Sequence, residues 1–238
     1  SGLSVSTRPF PTNVTWTYHS DEGPLEPPSP PCEPDDPECA PPTPTTPTPE
    51  MLSGTMEQWI GEDAVIRALS YNFETNEQVV LAEGIVGDDG SFNITLPAEE
   101  GVADALFTID EGNFCVTNQT GGGDIRSTVE VMPSPISFAN LGLFIYESAY
   151  SSTNEIIGDV LATDENYEAV INFYYAASDA TIRGDCITTL SANFISTDAY
   201  DLDLKAGWNK VMSVSTAEGR SLSTEPVPED IRWSFIER

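Results

Sequence analysis

A single histidine limits the chemistry that this chain could perform. His19 is the only histidine among 238 residues, and it lies beside a proline-rich stretch. A Ser–His–Asp or Cys–His site needs a histidine held by packing next to its nucleophile, so we expect no such site. The sequence also has no CxxC pair, no GxxxxGK[ST] and no GxGxxG. It therefore offers no zinc, redox-dithiol or phosphate-binding motif, and we expect no enzyme.

Carboxylates are the other groups that could perform chemistry, and the chain contains 39 aspartate and glutamate residues. Glycoside hydrolysis needs two at a fixed separation across a cleft, which a sequence does not show. Calcium is the better hypothesis because it prefers carboxylate and carbonyl oxygens. Three acidic loops, 87–91, 162–168 and 196–203, gather such groups without the full EF-hand pattern, and an ordinary acidic turn is the competing interpretation of each. The calcium candidates are Asp88, Asp89, Asp164, Asp201 and Asp203.

Aromatic side chains are candidates for a platform that stacks on carbohydrate. They are Trp59, Trp208, Trp233, Tyr174 and Tyr175. Tyr174 and Tyr175 are adjacent in a predicted strand, so they face opposite ways and at most one can meet a given ligand. Packing in a core is the interpretation that we favour for these rings.

Cysteines and sequons indicate an exported protein. Four cysteines, an even number, suit disulfides in an oxidising compartment. We favour a Cys32–Cys39 bridge around EPDDPE and a Cys115–Cys186 bridge, with two other connectivities open. Three Asn-x-Thr sequons are candidate glycosylation sites: Asn13, Asn93 and Asn118. We therefore expect an extracellular or cell-surface location.

The net charge of the chain restricts the classes of partner that it can bind. A formal net charge of −30, with Lys205 and Lys210 as the only lysines, repels nucleic acid and anionic membranes. No apolar run approaches the roughly 18 residues of a membrane helix. The N-terminus has neither a basic nor an apolar leader segment, so we expect a processed chain. A lipid anchor upstream of Ser1 stays open.

The N-terminal part divides into an arm and a spacer. In the arm, residues 1–20, Val14, Trp16 and Tyr18 alternate with polar residues, which predicts a strand that must join a sheet. The spacer, residues 21–50, holds 12 of the 19 prolines. That density favours extended polyproline II, at about 3.1 Å per residue.

From Met51 onward the chain predicts an all-β fold. Strand-length segments recur every 8–12 residues or so between turn signals, as in sandwiches or barrels. Segment 56–69 has a helix-like apolar pattern, but Gly61 and its β-branched residues favour strands. We predict two small β-sandwich modules of the immunoglobulin or transthyretin-like type, residues 51–132 and 133–238, with no helix.

Two stretches resemble known families. AVIRALSYNFETNEQVVLAEGIVGDDGSFNITLP resembles transthyretin-like, carboxypeptidase-regulatory-type sandwiches, in which a strand pair leads into a DGSF turn and strand. DLDLKAGWNKVMSVS, with the later IRWSFIE, is similar to secreted surface lipoproteins of Deinococcus-type bacteria, although the acidic spacer departs from that pattern. Neither resemblance transfers catalytic residues, and each implies an envelope-associated scaffold or binding module.

The arm carries the functional hypothesis. It can fold back on its own module, insert into a neighbouring copy, or anchor the chain to another envelope protein. We favour a non-enzymatic, exported structural subunit of a pilus-like filament or surface-layer-associated complex, joined through the arm strand. The alternative is a surface lipoprotein or binding module for carbohydrate or calcium, and a carboxylate-based hydrolase is the third hypothesis.

Overall fold

The computed structural model describes residues 49–59, 61, 64–117, 124–146, 155–164, 168–191, 194–224 and 232–238. The arm and nearly all of the spacer lie outside these residues. Those that are described belong to one compact unit, Thr45–Arg238. They form an all-β structure, as the sequence predicts.

Fifteen strands are found in the described residues, and they are numbered in chain order. Their bounds are β1 Glu50–Glu57, β2 Ala64–Asn72, β3 Glu77–Val86, β4 Ser91–Leu96, β5 Phe107–Ile109, β6 Asp124–Ser127, β7 Glu130–Met132, β8 Ile136–Tyr146, β9 Ile156–Thr163, β10 Ala169–Ala176, β11 Ala180–Ser191, β12 Phe194–Leu204, β13 Gly207–Thr216, β14 Gly219–Ser223 and β15 Arg232–Glu237.

Short helical segments correct the expectation of no helix. They are α1, Glu99–Val102, a 3₁₀ helix, Ala103–Ala105, and α2, Phe114–Thr117. Segments of three or four residues are too short for a helical period of 3.6 residues to be visible in a sequence. No helix in the described part of the chain has the length and apolarity needed to cross a membrane.

Strand β4 shows why these segments become strands. Phe92, Ile94 and Leu96 are buried, while the residues between them are exposed. Alternate side chains of a strand point to opposite faces, so β4 places one apolar face on the core. Gly90, with a φ of 78°, ends the turn before it, a conformation that suits glycine.

Seven of the strands form a closed circuit of hydrogen-bonded neighbours. The order is β1, β4, β3, β2, β8, β9 and β15, which returns to β1. Only the β1–β15 contact in this circuit is parallel. The circuit encloses the first core, whose most buried members include Ile66, Leu96 and Ile145.

The remaining strands extend the sheet from β8 around a second core. Strand β8 pairs with β5 and β10, and from β10 the order continues through β13, β14, β12 and β11 to β6 and β7. The second core includes Phe107, Phe138, Ile182 and Leu202.

The predicted boundary at residue 132 lies inside this continuous sheet. Strands before it pair with strands after it, as in β2 with β8, β1 with β15 and β7 with β11. Two cores are distinguishable, but the division into two sandwich modules stays a prediction.

A disulfide fastens the second core. Cys115 of α2 is bonded to Cys186 of β11, 71 residues along the chain, with a Cα–Cα distance of 5.5 Å. The predicted pairing of these two cysteines is thus present. Cys32 and Cys39 lie outside the described residues.

Candidate functional site

An ion pair between a buried aspartate and a half-exposed arginine lies beside the second core. Asp198 of β12 is 4% exposed and stands in register with Arg220 of β14. The Arg220 Nε–H donates to Asp198 Oδ1 at 3.2 Å, and its Nη2 donates to Oδ2. Burial raises the pKa of the neighbouring Tyr174 to about 12 and also raises the pKa of Tyr200. This arrangement neutralises a buried carboxylate and joins two strands.

The first calcium candidates make turns. Asp89 Oδ1 accepts the backbone N–H of Ser91 at 3.0 Å, and hydrogen bonds from Ser91 lower the pKa of the Asp89 carboxyl. Asp88 beside it is exposed. Asp164 Oδ1 accepts the backbone N–H of Glu168 at 2.8 Å. These carboxylates therefore satisfy backbone donors in turns.

The other calcium candidates share an arginine. Arg183 Nε lies 2.6 Å from Asp201 Oδ1, and Arg183 Nη2 lies 3.0 Å from Asp203 Oδ2. The structure thus brings Asp201 and Asp203 together around a cation of the protein itself. Within the described ranges, no group of three or more acidic, histidine or cysteine side chains is placed to hold a metal ion. Calcium binding stays a prediction.

The carbohydrate candidates are used in packing. Trp59, Trp208 and Trp233 each contact another ring, edge-on or stacked. Tyr174 belongs to the second core, whereas Tyr175 packs in a separate small cluster under α1. The two tyrosines face opposite ways, as their adjacency predicts. Trp208 alone of these five also borders the cavity described below.

Several residues that the sequence analysis considers as functional, disulfide or glycosylation candidates lie outside the described part of the chain. They are Val14, Trp16, Tyr18, His19, Cys32, Cys39, Asn13 and Asn118. Asn93, the remaining sequon, lies on the exposed face of β4 with Thr95 exposed on the same face. Its Nδ2 is 3.6 Å from Sδ of Met51. Both sequon side chains are accessible at this position.

Strand β1 has one open edge among the described strands. Its residues 50–55 pair with β4 on one side, but on the other side β15 meets only Met56 and Glu57. Met51 on this strand is 63% exposed. An unpaired edge presents backbone N–H and C=O groups to which another strand can bond.

The inner side of this edge is aromatic. A Cβ on Gly54 would stand 2.2 Å from Cδ1 of Trp233, so only glycine lets the indole lie against β1. The Trp233 ring stacks on Phe173 of β10, with centroids 6.1 Å apart and planes 5° apart. A strand added at the edge would thus lie beside an apolar surface.

A cavity of about 380 Å³ adjoins the first residue of β1. Its lining residues are Glu50, Phe173, Asp203, Lys205, Trp208, Asn209, Lys210 and Thr224. The Trp208 Nε1–H donates to the carbonyl of Pro97 at 2.9 Å, which fixes the indole. Two aromatic rings and four charged side chains therefore meet in one place.

Both lysines of the chain line this cavity. Lys210 Nζ lies 3.3 Å from Glu50 Oε1, and Lys205 Nζ lies 2.9 Å from Asp179 Oδ2. The Asp179 hydrogen bond raises the pKa of Lys205, while the Ala206 N–H and then Lys205 lower the pKa of Asp179. The side chain of Lys205 is 77% exposed and that of Lys210 is 51% exposed, so both remain accessible to other anions.

Sequence reasoning noted the two lysines but did not place them together. Lys205 and Lys210 lie close together on either side of Trp208 in a very acidic chain, and this clustering could have indicated a shared site. Glu50 and Phe173 come to the same place through long-range pairing, which local patterns do not reveal.

Comparison with protein-family models, with curated proteins and with solved structures finds no match to this chain.

Proposed function

We propose that this chain is an exported, non-enzymatic structural protein that assembles through its N-terminal strand. The edge of β1 at residues 50–55, which has no partner among the described residues, is the observation that carries the proposal. In this proposal, residues 13–18 of one copy form a strand that pairs with residues 50–55 of the next copy. Both segments are six residues long. The link is made of main-chain hydrogen bonds, the mode known as β-augmentation.

Side chains of the arm provide the second part of the link. Val14, Trp16 and Tyr18 would share one face of the added strand. That face would meet Trp233, whose ring lies against Gly54 of β1 and stacks on the buried Phe173. Burial of such side chains stabilises by roughly 1.5–3 kcal/mol each, so the three offset part of the conformational entropy lost when the arm becomes ordered.

The proposed location and partners follow from the same account. The Cys115–Cys186 disulfide suits an oxidising, extracellular compartment. The partner is another copy of the chain, arranged as a filament or as part of an envelope complex. The arm of one copy binds a different surface, the β1 edge, of the next copy. Such a head-to-tail contact continues from copy to copy, unless the rotation between neighbouring copies closes a ring.

Sedimentation velocity of matched full-length variants tests the proposal. The triple variant Val14→Thr/Trp16→Thr/Tyr18→Thr should sediment as a monomer where the parent chain forms oligomers. The control Asn13→Ser/Thr15→Ser/Thr17→Ser changes the opposite face and should still assemble. Removal of residues 1–20 should likewise leave soluble monomers. Continued assembly of the triple variant or of the truncated chain would overturn the proposal.

A further inference from the structure

We propose that a second cavity, on the outer face of the sheet, binds a small uncharged molecule with an aliphatic body and a hydroxyl or amide group. The cavity has a volume of about 350 Å³. Its described lining residues come from β8, β9, β10 and β15 and none from β1–β4, which enclose the rest of the first core. The cavity therefore lies outside that core, and binding there is independent of strand addition at the β1 edge.

The floor of the cavity is a gap in the strand pairing. Strand β8 pairs with β10 as far as Leu141 and with β9 from Leu143 onward. Strands β9 and β10 pair with each other only next to this place. Gly142, Leu161 and Asn172 thus stand at the corners of a triangle, with no described pairing on the sides that face one another. The diverging strands leave a depression there, which the missing side chain of Gly142 deepens.

The walls of the cavity are mostly apolar. Alternate side chains of a strand point to opposite faces, so the walls are formed by those that point away from the first core. They are Phe144, Asp159, Leu161, Val170, Asn172 and Ile236. A concave, mainly apolar site with a few polar groups is typical of ligand pockets, whose volumes are roughly 300–1,000 Å³. This cavity is at the lower end of that range, which suits a small molecule.

The charges at the cavity select an uncharged ligand. Asp159 Oδ1 lies 2.7 Å from Arg238 Nη2, and the Arg238 Nε–H donates to Asp159 Oδ2 at 2.8 Å. Asp159 is the one carboxylate among the described lining residues, and it already holds a cation. An anionic ligand would meet this carboxylate and a net charge of −30. A metal ion would find too few oxygen ligands.

The aromatic ring in the walls favours an aliphatic ligand over a carbohydrate. The guanidinium carbon of Arg238 lies 5.3 Å from the centroid of the Phe144 ring and covers one of its faces. The ring also lies over Gly142, where a Cβ would come within 2.6 Å of Phe144 Cε2. A sugar would need a free ring face for stacking, whereas Leu161, Val170 and Ile236 offer aliphatic surface.

Asn172 supplies the polar contact of the site. Its side chain is half-buried on the cavity wall, and it makes no hydrogen bond within the part of the chain that the structure describes. A carboxamide has both donors and an acceptor, so it can bond a hydroxyl or an amide in either direction. The ligand would place this group at Asn172 and its aliphatic part against Leu161 and Val170.

Equilibrium dialysis of the full chain against radiolabelled 1-octanol tests the proposal. We expect saturable binding of one molecule per chain. Octanoate has an alkyl chain of similar length with a charged end, and it should bind at least tenfold more weakly at neutral pH. No saturable binding of 1-octanol, or equal binding of octanoate, would overturn the proposal.

Matched variants locate the binding. Val170→Trp fills the cavity and should weaken 1-octanol binding at least tenfold, whereas Val80→Trp, at an exposed position of β3 outside the cavity, should change it less than twofold. Urea denaturation checks that each variant is folded. Leu161→Ser and its control Ile85→Ser give a second pair that adds no bulk, with the loss expected only at Leu161. Equal effects within both pairs would place the binding elsewhere and refute this site.

Asn172→Leu tests the polar contact. It should weaken binding of 1-octanol at least threefold, because the hydroxyl loses its partner, and leave binding of n-heptane, which has no hydroxyl, within twofold. An equal change for both ligands would contradict the hydrogen bond to Asn172. Because the site is independent of the arm, Val14→Thr/Trp16→Thr/Tyr18→Thr should bind 1-octanol as the parent does. Loss of binding in that variant would contradict this independence.

Discussion

At the scale of single residues, the charged groups of the described part divide into buried and exposed pairs. Asp198 is buried and depends on Arg220, whereas Arg183 holds Asp201 and Asp203 at the surface. A buried carboxylate that loses its partner keeps its desolvation cost. An exposed pair loses little when it is broken, because water replaces the partner.

Removal of the Arg220 guanidinium should therefore destabilise the protein strongly. We expect Arg220→Met to lower the free energy of unfolding by about 1.5–3 kcal/mol, measured by urea denaturation. The control Arg183→Met should cost less than about 1 kcal/mol. Adding Asp198→Asn to Arg220→Met should recover part of the loss, and equal costs for the two arginine variants would contradict this account.

Alkaline pH should act on the second core through Tyr174. Its pKa is raised by burial to about 12, so above pH 10 the unfolded chain loses a proton that the folded chain retains. The free energy of unfolding should thus fall between pH 10 and 12, by about 3 kcal/mol for this residue.

Tyr174→Phe should make that pH dependence shallower. The control Ile66→Val, in the other core, should lower stability by about 1 kcal/mol without changing the slope. The measurement is urea denaturation at several pH values. An unchanged slope in the Tyr174 variant would show that the phenol is not the group responsible.

At the scale of elements, the disulfide joins α2 to β11. Helix α2 has only four residues, which is too short for a helix to be stable alone. The 71-residue separation closes a long loop. Loss of that constraint on the unfolded chain corresponds to about 4 kcal/mol. We expect Cys115→Ala/Cys186→Ala to lower the free energy of unfolding by this order in chemical denaturation. A loss below about 1 kcal/mol would show that the bridge does not constrain the fold.

Most strands could be predicted from the sequence, because their apolar residues alternate or form short runs. Strands β1, β6 and β14 lack such a pattern. In β1 the inward position 54 is a glycine, which interrupts the pattern, and β6 and β14 each contain one large apolar residue. Propensity and alternation act locally, so they identify strands but leave their neighbours undetermined.

Long-range pairing explains what the sequence did not show about the candidate site. Strand β15, near the end of the described chain, pairs with β1 at its beginning. Among the described residues, the part of β1 without a second partner lies next to this pairing. Glu50, Trp208 and Lys210 meet only after such pairings form. The pairing of Cys115 with Cys186 was predictable, since four cysteines allow few connectivities.

At the scale of the whole molecule, the high negative charge opposes association, so an assembly contact must supply its own attraction. Main-chain hydrogen bonds at the β1 edge are independent of side-chain charge, so they can form between two copies of like charge. Salt should screen the repulsion between the copies. We therefore expect the parent chain to associate more strongly in 0.5 M than in 0.1 M NaCl, measured by sedimentation equilibrium. Association that weakens as the salt concentration rises would contradict this account.

Hydrogen exchange of the β1 amides tests strand addition most directly. The parent chain and Val14→Thr/Trp16→Thr/Tyr18→Thr are compared at a concentration where the parent assembles. The account predicts that amides of residues 50–55 not bonded to β4 exchange slowly in the parent and fast in the variant. The β4 amides should be protected equally in both. Equal protection of residues 50–55 in the two proteins, or protection gained at another edge such as β6 and β7, would contradict the account.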